Sequence, residues 1–340
     1  MTAPHDVPAA RIQRGMAILA TTPRPPAGLT PHEVIHRQGR LCVRYYPPSG
    51  VRRQTPIVLV PSLINKAYIL DLEPGRSLVA ALAERGHPTY LVDWGTPEPE
   101  NGGEDVAATL RMLQRSVDRA CRHARAPRAV LFGYCMGGTL ATMFAARFPA
   151  RVAALVTLAT PVHFAHGGRF AAFVRDVDTR AAFPLEELVG PDVMKPAFQM
   201  LDPVGNVSKY LAIEAASHDA RQLARVLVRE RWLEENVPLP GAFAAEFVRE
   251  GYQKDGLVNR TWVIDGEVVD LAKIGVPTLV VTCDRDFITP TAAAAPLAAL
   301  VGGAGRHVAL DTGHIGVVVG GEGPKRFYPL VDGFCREVAP

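Results

Sequence analysis

Between residues 129 and 147 the chain makes its most restrictive demand on a fold. An apolar run, Ala129-Val130-Leu131-Phe132, meets Gly133-Tyr134-Cys135-Met136-Gly137-Gly138, and a helical stretch then continues to Arg147 before Pro149 stops it. A buried strand that becomes a helix within one residue strains the backbone of the residue at the tip. It also leaves no room for side chains two positions either side. Gly133 and Gly137 hold those two positions, and Cys135 is the tip. The positive end of the following helix stabilises an anion and presents backbone N–H groups to a developing oxyanion. Cys135 therefore has the surroundings of a nucleophile. The plain alternative, a buried structural cysteine, requires the glycines and the strand–helix setting to coincide by accident.

The rest of the chain supplies a frame for such a turn. Residues 41–46, 56–60, 88–92, 129–132 and 152–158 read as strands, the second ending at Pro61. Residues 77–85, 106–125 and 137–147 read as helices, the first closed by Gly86. Strands alternating with helices predict a mostly parallel sheet covered on both faces. With the nucleophile on a strand-to-helix turn, the predicted class is α/β, of the α/β-hydrolase fold. The rhythm breaks after Pro161 and resumes with strands at 277–281 and 307–310. Residues 162–273, helical and including a partly amphipathic stretch at 221–235, are thus expected as a cap inserted into a core of 36–161 and 274–340. Residues 1–35 are expected as a flexible N-terminal arm, because Pro23-Arg24-Pro25-Pro26-Ala27-Gly28 excludes helix and central strand there.

In this fold the acid follows a late strand and the histidine follows the last one. His314, in Asp311-Thr312-Gly313-His314-Ile315-Gly316, has that position, and Gly313 and Gly316 are expected to give its loop the freedom to reach the sheet edge. His307 lies inside the last strand and is the weaker candidate. Two carboxylates follow strand 278–282, Asp284 and Asp286. Asp286 is preferred because the acid belongs on the loop beyond the strand, where it orients and stabilises the imidazole. Asp284 is read as hydrogen-bonding the turn.

Charge and cysteine usage narrow the setting. Charged residues are 21% of the chain with a net charge of +3, scattered rather than gathered into a stripe, which argues against nucleic acid and is compatible with weak attraction to an anionic substrate such as coenzyme A. The five cysteines are odd in number and form no Cys-x-x-Cys pair, as expected of a reducing, cytoplasmic compartment. No uninterrupted apolar stretch opens the chain, so neither a signal peptide nor a transmembrane segment is expected.

Several separated strings resemble the polyhydroxyalkanoate synthases, most closely their short class III catalytic subunit. These are Pro61-Ser62-Leu63-Ile64-Asn65-Lys66-Ala67-Tyr68-Ile69-Leu70-Asp71-Leu72, Tyr90-Leu91-Val92-Asp93-Trp94-Gly95, the Cys135 turn, Arg231-Trp232 and Gly313-His314-Ile315-Gly316. The resemblance implies polymerisation of (R)-3-hydroxyacyl-coenzyme A into a polyester through a Cys135 thioester, with release of coenzyme A. In it His314 is the base, Asp286 its support, and the N–H groups of Met136 and Ile64 form the oxyanion hole. It implies no metal and no cofactor beyond the coenzyme A of the substrate. It leaves room for a second synthase subunit, for a homodimer and for association with polymer granules. Trp94 and Trp232 match family positions and equally suit plain core packing. The chain departs from the family at Leu63, where Trp is frequent, at His163, where Asp is frequent, and at Tyr134 and Met136 beside the nucleophile. The competing function is a cysteine hydrolase, a thioesterase, esterase or dienelactone-hydrolase-like enzyme, since Gly-Tyr-Cys-Met-Gly-Gly also resembles a dienelactone hydrolase turn.

Overall fold

The computed structural model describes residues 8–339. Eight strands form one sheet: β1 (Glu33–Gln38), β2 (Leu41–Tyr46), β3 (Ile57–Val60), β4 (Thr89–Asp93), β5 (Ala129–Tyr134), β6 (Val152–Leu158), β7 (Thr278–Cys283) and β8 (Gly305–Leu310). Their order across the sheet is β1-β2-β4-β3-β5-β6-β7-β8. β1 and β2 form an antiparallel hairpin, β2 runs antiparallel to β4, and every later neighbour is parallel. All four residues of β3 are wholly buried, as are β-branched and aromatic side chains along β5 and β6, which explains their unbroken apolar reading.

Helices cover both faces. α2 (Leu78–Glu84) packs on one face with the C-terminal helix Tyr328–Val338, where Leu78, Leu82, Val331 and Phe334 share a core with Leu59 and Phe132. α3 (Val106–Ala124) and α4 (Met136–Arg147) cover the other, with Leu110, Leu113, Leu140 and Phe144 packed on Val58 and Leu131. Each such side chain removed from water contributes roughly 1.5–3 kcal/mol. Ser77 caps α2 by accepting from the Ala80 N–H, and Asp105 caps α3 by accepting from the Ala108 N–H.

After β6 the chain leaves the sheet, and it returns at β7. The intervening residues form mostly helices: α5 (Gly168–Val174), α6 (Thr179–Ala182), α7 (Pro191–Leu201), α8 (Pro203–Ala216) and α9 (Ala220–Glu234). The short paired segments Leu188–Val189 with Leu239–Pro240, and Val263–Ile264 with Glu267–Val268, stay outside the main sheet. Among the described residues no helix is long and apolar enough to cross a membrane.

The expectation of a flexible arm over 1–35 fails for the residues that can be described; 1–7 lie outside them. Pro8–Thr21 is a helix, α1, and Glu33 begins β1. α1 crosses α8 so closely that a Cβ on Gly15 would lie 2.0 Å from the Tyr210 carbonyl oxygen. Arg11 and Arg14 both reach the Glu214 carboxylate, at 2.9 and 3.0 Å, and Leu19 packs with Ile213 and Leu227. The proline run after Thr21 does end the helix, but it says nothing about what precedes it. The partners that make α1 worth forming lie about two hundred residues away in sequence, beyond the reach of local pattern.

Candidate active site

The site is assembled at the carboxyl ends of β3, β5, β7 and β8, beside the point where strand order reverses. β5 delivers Cys135 as the residue before α4, with φ 55° and ψ −127°, a conformation that costs a non-glycine residue about 1–3 kcal/mol. The flanking glycines are required by contact. A Cβ on Gly133 would lie 2.3 Å from the Gly138 Cα, and one on Gly137 would lie 2.3 Å from the carbonyl oxygens of Val60 and Pro61. The turn is thereby pressed against the end of β3, where the loop carrying Ile64 begins.

His314 and Asp286 meet over this turn. His314 Nδ1 lies 2.6 Å from Asp286 Oδ2, and both side chains are nearly excluded from solvent. The other Asp286 oxygen accepts from the N–H groups of Ile288 and Thr289 at 2.9 and 2.8 Å, which fixes the carboxylate. Burial works against charge on His314. The Asp286 carboxylate, hydrogen-bonded to the ring, and the nearby Cys135 side chain outweigh it and raise the imidazole to about 10. His314 and Asp286 are therefore in contact, and Cys135 lines the same cleft as His314. Asp284, two residues earlier, is exposed, and the turn bonds assigned to it from the sequence are made by Asp286 instead. His307 is exposed on β8, 2.8 Å from Thr282 Oγ1.

Gly313 and Gly316 do not supply the conformational freedom expected of them, since neither has a positive φ. The His314 loop is held by hydrogen bonds. Arg285 N–H donates to Thr312 O and Thr312 N–H to Leu310 O, while the Tyr134 hydroxyl donates to the His314 carbonyl at 3.0 Å. Tyr134, singled out in the sequence only as a departure, is wholly buried under this loop.

Cys135 is half-buried and opens on a cleft of about 730 Å³ that it shares with His314, Ile64, Phe198, Val226 and Phe287. α7, α8 and α9 form the outer wall of the cleft. The other four cysteines are buried, and burial pushes their thiols up, Cys121 to about 11 and Cys283 and Cys335 to about 12, so they stay protonated. His163 Nδ1 lies 2.6 Å from Asp255 Oδ2. Leu63 is buried in the core and packs in the same cluster as Trp94.

A strained cysteine on a strand–helix turn, faced by a histidine that a buried carboxylate holds, within this strand order, defines a class. The chain belongs to the α/β-hydrolase fold family, which matches residues 55–320. Within that fold it is similar to the poly(3-hydroxyalkanoate) polymerases. Residues 27–82 match the family described as the poly-beta-hydroxybutyrate polymerase (PhaC) N-terminus. The chain is 30% identical to the poly(3-hydroxyalkanoate) polymerase subunit PhaC of Haloferax mediterranei, over 91% of this chain and 64% of the relative. It is 28% identical to each of the subunits so named from Thiocystis violacea and Allochromatium vinosum, over 96% of this chain and 94% of theirs. Solved structures share the fold at low identity. A thermophilic esterase from Thermogutta terrifontis has a TM-score of 0.52 at 15% identity, covering 91% of this chain and all of the esterase (100%). A monoacylglycerol lipase from Paleococcus ferrophilus has a TM-score of 0.53 at 14% identity, covering 86% of this chain and 97% of the lipase.

Proposed function

We propose that this chain is a polyhydroxyalkanoate polymerase that transfers (R)-3-hydroxyacyl groups from coenzyme A to Cys135 and joins them into a polyester. The observation that carries the reading is Cys135 in its strained turn, lining one cleft with a His314 that Asp286 holds at 2.6 Å, in a relative of PhaC.

Cys135 Sγ attacks the thioester carbonyl carbon, its proton held by His314 Nε2. The carbonyl oxygen takes up negative charge toward the N–H groups of Met136 and Ile64. The bond to the coenzyme A sulfur breaks, that sulfur takes the proton from His314 Nε2, and the acyl group remains on Cys135 as a thioester. Neutral His314 then accepts the proton of a hydroxyl group, either of the next monomer unit or of the growing chain. The resulting oxygen attacks the Cys135 thioester, an ester bond forms, and the Cys135 thiolate leaves. Asp286 holds the ring with Nε2 toward Cys135 and balances its charge. One thioester replaces another nearly without change in free energy, so the acyl group stays activated until the hydroxyl arrives.

Residues 162–273 act as a cap over this chemistry. α7–α9 line the cleft and exclude the water that would hydrolyse the acyl intermediate. No metal and no separate cofactor takes part. A second synthase subunit and the surface of a polymer granule in the cytoplasm are the partners such an enzyme works with. The purified protein, incubated with (R)-3-hydroxybutyryl-coenzyme A, with and without a class III partner subunit, tests the reading. Turbidity, insoluble polyester and stoichiometric coenzyme A are expected. Coenzyme A with only soluble 3-hydroxybutyrate under both conditions would replace the polymerase with a cysteine hydrolase.

A further inference from the structure

Two buried tryptophans brace the loop 61–66 from opposite sides. Trp94, just beyond β4, donates its indole N–H to the Pro61 carbonyl at 2.9 Å, at the loop's start. Trp232, on α9, donates its indole N–H to the Lys66 carbonyl at 2.8 Å, at the loop's end. Between these points α9 and its exit make further bonds to the loop. Val237 N–H donates to the Ile64 carbonyl at 2.7 Å, Asn65 Nδ2 donates to the Trp232 carbonyl at 3.3 Å, and Asn65 bridges Asn236 as an isolated β-pair. Just after the loop, the Tyr68 hydroxyl donates to Glu235, which Arg231 holds at 2.8 Å. Trp94 belongs to the sheet core, whereas every partner from residue 231 onward belongs to the helical insertion. The loop that carries Ile64 thus has its start bonded to the core, whereas the backbone carbonyls of Ile64 and Lys66 are held by α9 and its exit, with Lys66 Nζ also reaching Thr96 Oγ1 at 2.6 Å.

We infer that Trp232 is a positioning residue, whose indole N–H sets the loop carrying the Ile64 oxyanion donor only while α9 is seated, so that closure of the helical insertion completes the oxyanion site. The inference rests on the acyl-transfer reading above and goes beyond it. A buried carbonyl that loses its donor recruits another or shifts. A shift of about 1 Å at an oxyanion donor is enough to cost about ten- to a hundredfold in rate. The device also has a use: with the insertion lifted, Cys135 is open to water but the oxyanion site is incomplete, so an acyl group is not hydrolysed while the cleft is exposed.

The test removes the N–H and keeps the ring. Trp232→Phe is made alongside a protein carrying β-(3-benzothienyl)alanine at 232, in which sulfur replaces the indole nitrogen; if the phenylalanine variant fails to fold, the isostere carries the test. Trp262→Phe is the control. Trp262 is a buried indole of the same insertion whose N–H goes to Glu246 at 2.9 Å, away from the loop. Two rates are read: coenzyme A release from 3-hydroxybutyryl-coenzyme A, which needs the oxyanion site, and alkylation of Cys135 by iodoacetamide, which does not. The expected result at 232 is coenzyme A release lowered about ten- to a hundredfold in kcat with KM and alkylation within about twofold of wild type, and no such split in Trp262→Phe. Unchanged coenzyme A release, or alkylation falling in parallel with it, overturns the inference. A wild-type protein that releases no coenzyme A sinks the acyl-transfer reading itself, and this inference with it.

Discussion

Tyr134, the residue before Cys135, holds the His314 loop: its hydroxyl donates to the His314 carbonyl at 3.0 Å, and the two rings lie 5.2 Å apart at a tilt of 33°. Cys135 and His314 are thus tied through the side chain of the residue preceding Cys135. Tyr134→Phe keeps the ring and removes the bond. About 1 kcal/mol of stability and about three- to tenfold in kcat should be lost, with the charge state of His314 unaltered. A melting curve and steady-state kinetics check this; unchanged kcat would show that the loop is held without Tyr134.

Cys135→Ala should abolish turnover, leaving less than about 1% of wild-type activity, because no other thiol faces the cleft. Backbone strain gives a second expectation. With φ at 55°, Cys135→Gly relaxes the turn that Cys135→Ala leaves strained, so the glycine variant should melt higher than the alanine variant despite glycine's greater unfolded freedom. Calorimetry of the two inactive variants decides.

The two carboxylates after β7 are separated by burial. Asp286→Asn should lower kcat by about three orders of magnitude or more, while Asp284→Asn stays within about twofold. If the Asp284 variant is the inactive one, the assignment of the acid is reversed.

His314 gains a proton on folding, its pKa rising from the ordinary 6.5 to about 10. The stability this contributes is fully present below about pH 6.5 and is lost as pH rises through about 10, so the melting temperature should fall across that window. Asp286→Asn should flatten the fall. Histidine-labelled protein should show one imidazole still charged at pH 8, and losing its charge in the Asp286→Asn variant. A neutral His314 at pH 7 in wild type would contradict the ion-pair description.

Gly15→Ala sets intrinsic helix preference against packing. Alanine favours an isolated helix by about 1 kcal/mol. Here its Cβ would enter the Tyr210 carbonyl, 2.0 Å away, so the substitution should instead lower the melting temperature and expose α1 to protease. A raised melting temperature would show that α1 does not cross α8 this closely.

What the sequence alone determined is local. The glycines around Cys135, the apolar strands and the capped helices are each written in a few consecutive residues, because sterics and burial act over a turn or a strand. The αβ rhythm, its interruption after Pro161 and the neighbourhoods of Cys135, Asp286 and His314 were therefore legible. So was the place of Asp286 on the loop beyond β7, from which it reaches His314. Only the tertiary structure decided how those pieces are held. Tyr134 reaches a loop 180 residues later, Trp232 grips a loop 166 residues earlier, and α1 forms against α8 about 200 residues on. Each rests on a hydrogen bond or a packing contact whose partner is chosen by the tertiary fold. The pattern at Tyr134, Trp232 or Gly15 carries no record of that partner.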